Sequence, residues 1–363
     1  MNLDFTDDQR MLKDSVDRFV AQRYSLEQRR DYAAEPDGWS RGIWRELSEM
    51  GLLMLPFDAE DGGLGMGAVE TMIVGNAVGR GLIIEPYLAC VVLAGTAIAR
   101  CGSADQRADL LPGLMDGSRM FAYADLAAVE AGRGDAGWTL CGTAQVVLAG
   151  DSANHLIIPT SEGLFVIPAA TAGISRRSYR LHGGGSGASI ILDNVMIGEG
   201  ARLNGAGDPA LVREAGIAFL AAEAAGAMQA ALDLTVDYVK TREQFGKPIG
   251  ANQSLQHRAA EMLVEVEQAQ SAAIFAALLT SERDTVERAK GFAAVKAVIG
   301  KSARFVAQQT VQLHGGIGVS EEHVASHYFR RLTAIGMILG DTGMHLDNLA
   351  TLGGFTPADR SAG

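Results

Sequence analysis

Three textures follow one another along the chain, and their order limits the fold more than any single motif does. Up to about residue 116, apolar residues recur at helical spacing; residues 118–208 break into short, often β-branched runs; beyond Pro209 long helical patterns return. The opening FTDDQRML sets Thr6 three residues ahead of Gln9, the spacing of a capping box, with Asp7 and Asp8 at the positive end of the helix dipole. A helix is therefore expected from near Asp7, with Met11, Leu12, Val16, Phe19 and Val20 as its apolar face. Further helical patterns cover 42–50, 68–79, 88–100 and 104–116, punctuated by Gly and Pro. FAYADL, TLCGTAQVVLA, HLIIPT, GLFVIP and ASIILDNVMI then read as strands. The last helices are expected over 210–240, 252–281, 285–313 and 321–352. The expected fold is an α+β multi-domain protein: an N-terminal helical domain (1–117), a β-barrel-like or sandwich domain (118–208) and a C-terminal antiparallel four-helix bundle (209–354), with a frayed tail over 355–363.

A chain of 363 residues can bury an enzyme-sized core. Its net charge of −12 argues against binding nucleic acid or an anionic membrane, which needs clustered Lys and Arg. Cys90, Cys101 and Cys141 have neither metal-ligand spacing nor an even count, so unpaired thiols in a reducing compartment are expected. MNLDFTDDQRML lacks the basic and apolar regions of a signal peptide, and stretches such as YLACVVLAGTAIA are too short to span a bilayer. The expected location is the cytoplasm. His323, His327 and His345 are scattered without the carboxylate or cysteine partners of a metal site.

Two stretches carry the sharpest chemical signal. In TREQFGKPIGANQSLQHRAAEM, residues 241–262, one helix ends, a Gly and Pro loop turns, and another helix begins. Arg242 offers a fork of donors suited to a diphosphate, Phe245 a flat apolar face, and Asn252 and Gln253 hydrogen-bonding groups near a helix N-terminus. In VQLHGGIGVSEEH, residues 311–323, Gln312 and His314 precede Gly315 and Gly316, a pair that permits close backbone approach by a ligand. Taken separately, each also has an ordinary structural reading, as a helix hairpin with a surface arginine and as a helix C-cap.

Together with FTDDQRML, GLLMLPFDAEDGGLGMG (51–67) and CGSADQRADLLPGLMDG (101–117), these stretches resemble the acyl-CoA dehydrogenase family over nearly the whole length. The resemblance implies that family's fold, FAD as cofactor, and oxidation of a CoA thioester at its α and β carbons. A glutamate base and the flavin hydride acceptor carry that reaction. It also implies that Arg242, Phe245, Asn252, Gln253, Gln312, Leu313, His314, Gly315 and Gly316 contact FAD.

The sequence departs from the family twice. Where the family has a Thr-Glu-Pro-x-x-Gly-Ser-Asp segment lining the flavin, this chain has YADLAAVEAGRGDAG, residues 123–137, and the usual Trp-Ile-Thr corresponds to Val146, Val147 and Leu148. Counting without gaps, the common catalytic glutamate falls on Leu339, and the alternative place, early in the first long bundle helix, falls on Gly216. No residue of this chain is assigned as catalytic. Asp341 and Glu214 are nearby carboxylates, each two residues off and hence turned by roughly 200° if the segment is helical. Glu223 lies about two turns beyond the usual base position, His314 reads as a cofactor contact or a packed side chain, and Arg330 with Arg331 as a surface pair or subunit contact.

In the family each FAD spans two subunits, the neighbour gripping the diphosphate and adenosine. This chain keeps the grip and lacks the flavin lining and the base, so it resembles the non-catalytic subunit of a heteromeric α2β2 enzyme. The expected partners are a paralogous acyl-CoA dehydrogenase subunit, an acyl-CoA, for which a sterol or bile-acid side-chain thioester is one option, and an electron-transfer flavoprotein or similar acceptor. Two alternatives are a complete homo-oligomeric enzyme using Asp341 or Glu214, and a structural or regulatory paralog that binds no flavin.

Overall fold

The computed structural model describes residues 4–134 and 137–355; residues 356–363, most of the expected frayed tail, lie outside the described residues. Its helices begin where the sequence supplies caps. α1 (Asp7–Arg23) has a reciprocal capping box, Gln9 N donating to Thr6 Oγ1 (3.2 Å) and Thr6 N to Gln9 Oε1 (2.9 Å), and buries Val16 and Phe19. Met11, expected on that face, is 63% exposed. α2 (Leu26–Ala34) was not expected: it has a capping box at Ser25 and Gln28 but no apolar stripe to announce it. α3 (Arg41–Glu49) and α4 (Ala68–Gly81) follow, then a π-helical turn (Leu88–Ala94) that runs into α5 (Gly95–Cys101), and α6 (Ala104–Met115).

The middle of the chain forms two sheets. β1 (Phe121–Tyr123), β4 (His155–Thr160) and β5 (Gly163–Pro168) make one; β2 (Leu126–Gly134), β3 (Gly137–Leu148), β7 (Ser186–Ile197) and β6 (Ile174–Arg180) make the other, in the order β2-β3-β7-β6. Leu140, Ala144, Val147, Ile190 and Leu192 of the larger sheet share a dry core with Leu156, Ile158, Phe165 and Ile167 of the smaller, and Trp138 meets Phe165 edge to face at 5.2 Å. The sandwich is thus closed by apolar burial between two inner faces. β2 and β6 were not read as strands. LAAVEAGRG is rich in Ala and Gly, and ISRRSYR carries three arginines on an edge strand, so neither has the apolar alternation that marks a half-buried strand.

The remaining helices are α7 (Ala210–Thr241), α8 (Gln253–Leu279), α9 (Thr285–His314), α10 (Val324–Met337) and α11 (Thr342–Thr351), with a short hairpin of β8 (Glu243–Gln244) and β9 (Lys247–Pro248) between α7 and α8. The expected single helix over 321–352 is two: Leu339 and Gly340 take φ values of +58° and +98°, which no α-helix continues. The architecture is α+β, with helices first, a central sandwich, and an antiparallel helical bundle built on α7 to α10.

By contacts the chain divides into two compact units, Met1–Val74 with Ile83–Gly216, and Gly75–Leu82 with Ile217–Gly363. Within the second, glycine lets two backbones touch: a Cβ on Gly79 would stand 1.8 Å from the Glu223 carbonyl oxygen, and one on Gly226 would stand 1.9 Å from that of Asn76. α7 and α8 are long and apolar enough to cross a membrane by length and composition, which corrects the expectation that every apolar stretch is too short. The most apolar window of α7 is 78% buried inside the protein, the signature of a bundle core helix, whereas that of α8 is 39% buried.

Candidate functional site

The Arg242 stretch folds as an exposed hairpin. α7 ends at Thr241, Arg242 N donates to Tyr238 O (2.8 Å), and β8 pairs with β9 across Phe245 and Gly246, whose φ values of +54° and +78° make the tight turn. Phe245 is 99% exposed at the tip. The Arg242 side chain is exposed and makes no ion pair among the described residues, so its donors are free. Asn252 occupies the N-cap position of α8 without a side-chain cap bond, its Nδ2 instead donating back to Ile249 O (2.9 Å), and Gln253 is the exposed first residue of that helix.

The Gly315 stretch is the end of α9. Gly315 (φ +62°, ψ −141°) turns the chain out of the helix, and its N–H is taken by the Val311 and Gln312 carbonyls. A Cβ on Gly315 or Gly316 would meet nothing within 4 Å, so Gly316, whose φ is ordinary, is not demanded by internal packing. Gln312 is exposed, whereas the Leu313 and His314 side chains are buried at 5% and 3% exposure.

The two stretches, about seventy residues apart, are joined by a ring contact that the sequence did not reveal. Tyr238, one turn before Arg242, stacks on His314 with centroids 4.5 Å apart and 25° between planes; His323 sits 5.0 Å from His314. His314 Nδ1 lies 2.8 Å from Thr310 O, so the proton is on Nδ1 and Nε2 is a buried acceptor without a partner. His323 Nδ1 accepts from Ala325 N (3.3 Å) at the start of α10. Burial holds both imidazoles below the usual histidine range, the neighbouring His323 adding to the effect at His314. Arg258 Nη1 donates to Gln309 Oε1 (2.7 Å) and ties α8 to α9 close by in sequence. Of the residues singled out from the sequence, Arg242, Phe245, Asn252, Gln253, Gln312, Gly315 and Gly316 are accessible from solvent.

The place counted for the catalytic base holds no carboxylate. Leu339 is 4% exposed in the break between α10 and α11, and its carbonyl accepts from His345 Nε2 (2.8 Å). Lys296, wholly buried, donates from Nζ to Gly340 O (2.8 Å), Ile335 O (3.0 Å) and Gly336 O (3.3 Å), pinning both sides of the break. Asp341 is exposed and caps α11, Oδ1 accepting from Met344 N (2.8 Å); the helical-turn argument does not apply to it because the backbone there is not helical. Glu214 and Gly216 lie on the first turns of α7, half-buried and buried respectively.

Other expectations change. Glu223 is buried at 1% and receives Arg331 Nε at 2.5 Å, so Arg331 is half of a buried ion pair and not half of a surface one; Arg330 instead pairs with Glu321 (2.7 Å). Glu223 Oε2 has no hydrogen-bond partner. His327 Nε2 meets Glu321 O (3.0 Å), so the last-region histidines are engaged with backbone. In the sandwich, Val146 sits on a bulge at φ +50° and is 48% exposed while Val147 is 1% exposed; neither side chain offers a donor. At the start of the 123–137 stretch, of which residues 135 and 136 lie outside the described residues, Asp125 pairs with Arg213 (2.5 Å). Burial raises the Asp125 carboxyl, against the pull of Arg213. Asp125 also lines a cavity of about 520 Å³ with Ala127, Ala128, Glu130 and Thr160.

Family models match residues 6–118 (acyl-CoA dehydrogenase, N-terminal domain) and 217–352 (acyl-CoA dehydrogenase, C-terminal domain). Acyl-CoA dehydrogenase FadE12 of Mycobacterium tuberculosis is 30% identical over 349 residues, covering 88% of each chain. Among solved structures, the ChsE4-ChsE5 complex from Mycobacterium tuberculosis superposes with a TM-score of 0.91 at 25% identity, over 99% of this chain and 100% of that one. The Tcur3481-Tcur3483 steroid ACAD gives 0.87 at 29%, over 95% and 97%. From the shared fold, the paired domain matches and this degree of identity, the chain belongs to the acyl-CoA dehydrogenase family.

Proposed function

We propose that this chain is the base-less subunit of a heteromeric acyl-CoA dehydrogenase, supplying the grip on the diphosphate and adenosine of FAD while a paralogous subunit supplies flavin pocket and glutamate. The observation that carries the reading is Leu339: the counted base position is a buried leucine in a helix break clamped by Lys296 and His345, while the Arg242 hairpin and the Gly315 turn remain open. The residues present fit the adenosine-diphosphate end of the cofactor. Arg242 brings a free guanidinium for phosphate oxygens, Gly316 leaves room for backbone approach, and Phe245 presents an apolar face. They do not fit the flavin end, because the aliphatic side chains of Val146, Val147 and Leu148 offer no donor to its redox edge. Bound FAD supplies the hydride acceptor of the family's reaction.

Two solved relatives named as pairs of proteins, ChsE4-ChsE5 and Tcur3481-Tcur3483, support a partner of the same family. The likeness to Tcur3481-Tcur3483, a steroid ACAD, favours a sterol-derived CoA thioester as substrate class. The apolar face that α8 leaves open, with Leu263, Val264, Phe275 and Leu278 exposed, is suited to a subunit contact. A complete homo-oligomeric enzyme gains nothing from Asp341, whose carboxylate is committed to capping α11.

The test uses the complex with the partner subunit. Arg242→Ala is expected to weaken FAD binding by about 1.5–3 kcal/mol, the worth of charge-assisted hydrogen bonds, and Asp341→Asn to leave turnover nearly intact. Loss of turnover in Asp341→Asn with FAD retained would establish the homo-oligomeric reading instead, and unchanged FAD binding in Arg242→Ala would remove the grip.

A further inference from the structure

Tyr238, His314 and His323 come from three different helix ends: the last turn of α7, the last residue of α9 and the N-cap of α10. Each adjoins a part of the grip. Tyr238 precedes Arg242 by one helical turn, and its carbonyl holds the Arg242 amide; His314 is bonded directly to Gly315. The three rings touch one another, Tyr238 to His314 at 4.5 Å, His314 to His323 at 5.0 Å and Tyr238 edge-on to His323 at 6.5 Å, in a cluster that adjoins both the hairpin and the glycine turn.

Both tautomers are set by backbone. His314 Nδ1–H faces Thr310 O, which leaves Nε2 as a bare buried acceptor; His323 Nδ1 receives the Ala325 amide, which leaves its proton on Nε2. The groups packed on His314 are the Tyr238 ring from α7 and His323 from the start of α10, and among the described residues no carboxylate forms an ion pair with either imidazole. A second proton on either ring would therefore arrive without a counter-charge, beside another imidazole. We propose that Tyr238, His314 and His323 are positioning residues that hold the Arg242 hairpin and the Gly315–Gly316 turn at the spacing the FAD diphosphate and adenosine require, and that they do so only while both imidazoles are neutral. The proposal rests on the FAD-grip reading. Its consequence is a cofactor affinity that falls on acidification.

The sign follows from linkage. Burial lowers both imidazoles, so the neutral, stacked arrangement is fully favoured above the unfolded-histidine value of about 6.5 and is lost as pH falls through the lower folded values. The experiment measures FAD release by flavin fluorescence from the complex with the partner subunit, across roughly pH 5 to 8, for the wild type and four variants. Tyr238→Ala is expected to raise the FAD dissociation constant roughly threefold to tenfold, and Tyr238→Phe to restore it. His323→Asn keeps an acceptor for the Ala325 amide but removes the ring and one of the two protonation sites, so it should weaken FAD binding at the alkaline end and shrink the further fall in affinity on acidification to the part that His314 carries. Arg242→Ala separates the two claims: if it leaves FAD binding unchanged, the grip reading fails and the proposal with it. If Arg242→Ala weakens binding while Tyr238→Ala binds like wild type, or His323→Asn keeps the wild-type acid limb, the stack proposal alone is overturned. Should Tyr238→Ala fail to fold, the His323→Asn profile decides.

Discussion

Replacing Lys296 with Met would remove the ammonium that closes the break between α10 and α11. The side chain is wholly buried and its Nζ reaches three carbonyl oxygens, of Ile335 and Gly336 at the end of α10 and of Gly340 inside the break, at 3.0, 3.3 and 2.8 Å. Hydrogen bonds from a charged donor contribute about 1.5–3 kcal/mol each, but the ammonium also forfeits its hydration, so the gross sum overstates the net. Methionine keeps most of the stem's packing and leaves the three carbonyls unpaired. By analogy with breaking a buried charged contact, the net loss is about 3–5 kcal/mol. In a unit of this size a loss of that magnitude lowers the midpoint of thermal unfolding by on the order of 10 °C. Calorimetry would read the shift, and limited proteolysis should show new cleavage near Leu339 and Gly340. A midpoint within about 2 °C of wild type, roughly what 1 kcal/mol would cause, with no new cleavage, would refute the claim that Lys296 holds the break.

Three further expectations are local. Glu85 is buried against Tyr24 and the Ser40 amide (3.1 Å from Oε1), with Glu35 nearby; burial pushes it up to about 7, so the stability it lends is full below about 4.5 and is lost as pH rises through 7. Glu85→Gln should remove that decline and leave the protein more stable than wild type at pH 8 by about 3 kcal/mol or less, as read by urea titration at several pH values. Arg331→Met strands the Glu223 carboxylate at 1% exposure and should cost about 3–5 kcal/mol; the double change Glu223→Gln with Arg331→Met should recover much of it. Asp341→Ala loses only the N-cap of α11, about 1 kcal/mol in the same titration.

Capping and periodicity made most helices legible, because Thr6 with Gln9 and the apolar spacing of α1 act within one or two turns. The strands β3, β4, β5 and β7 were legible because their apolar runs face a shared core. β2 escaped: its residues have little intrinsic strand preference and take strand form by pairing with β3 from Leu126–Gln145 to Gly134–Gly137. The break at Leu339 escaped for a related reason. Gly336, Gly340 and Gly343 are each tolerated in an apolar helical pattern, and the contact that fixes the break comes from Lys296 on α9, far away in sequence. At the candidate site, Arg242 and the glycine turn could be found as donors and as room for a ligand. Tyr238 and His323 could not, since each lies in a stretch where an aromatic or imidazole is unremarkable until folding stacks it on His314. The pairing of Arg331 with Glu223 was hidden by position: an arginine late in a helix reads as a surface charge until a buried carboxylate is seen opposite.

The central claim is that this chain holds half of a shared site. Its most direct test is to purify the chain alone and with its paralogous partner, and to measure FAD per subunit and acyl-CoA oxidation in each preparation. The account expects little FAD and no turnover from the chain alone, and fewer flavins than subunits with turnover in the pair. Full FAD occupancy with turnover in the isolated chain would contradict it.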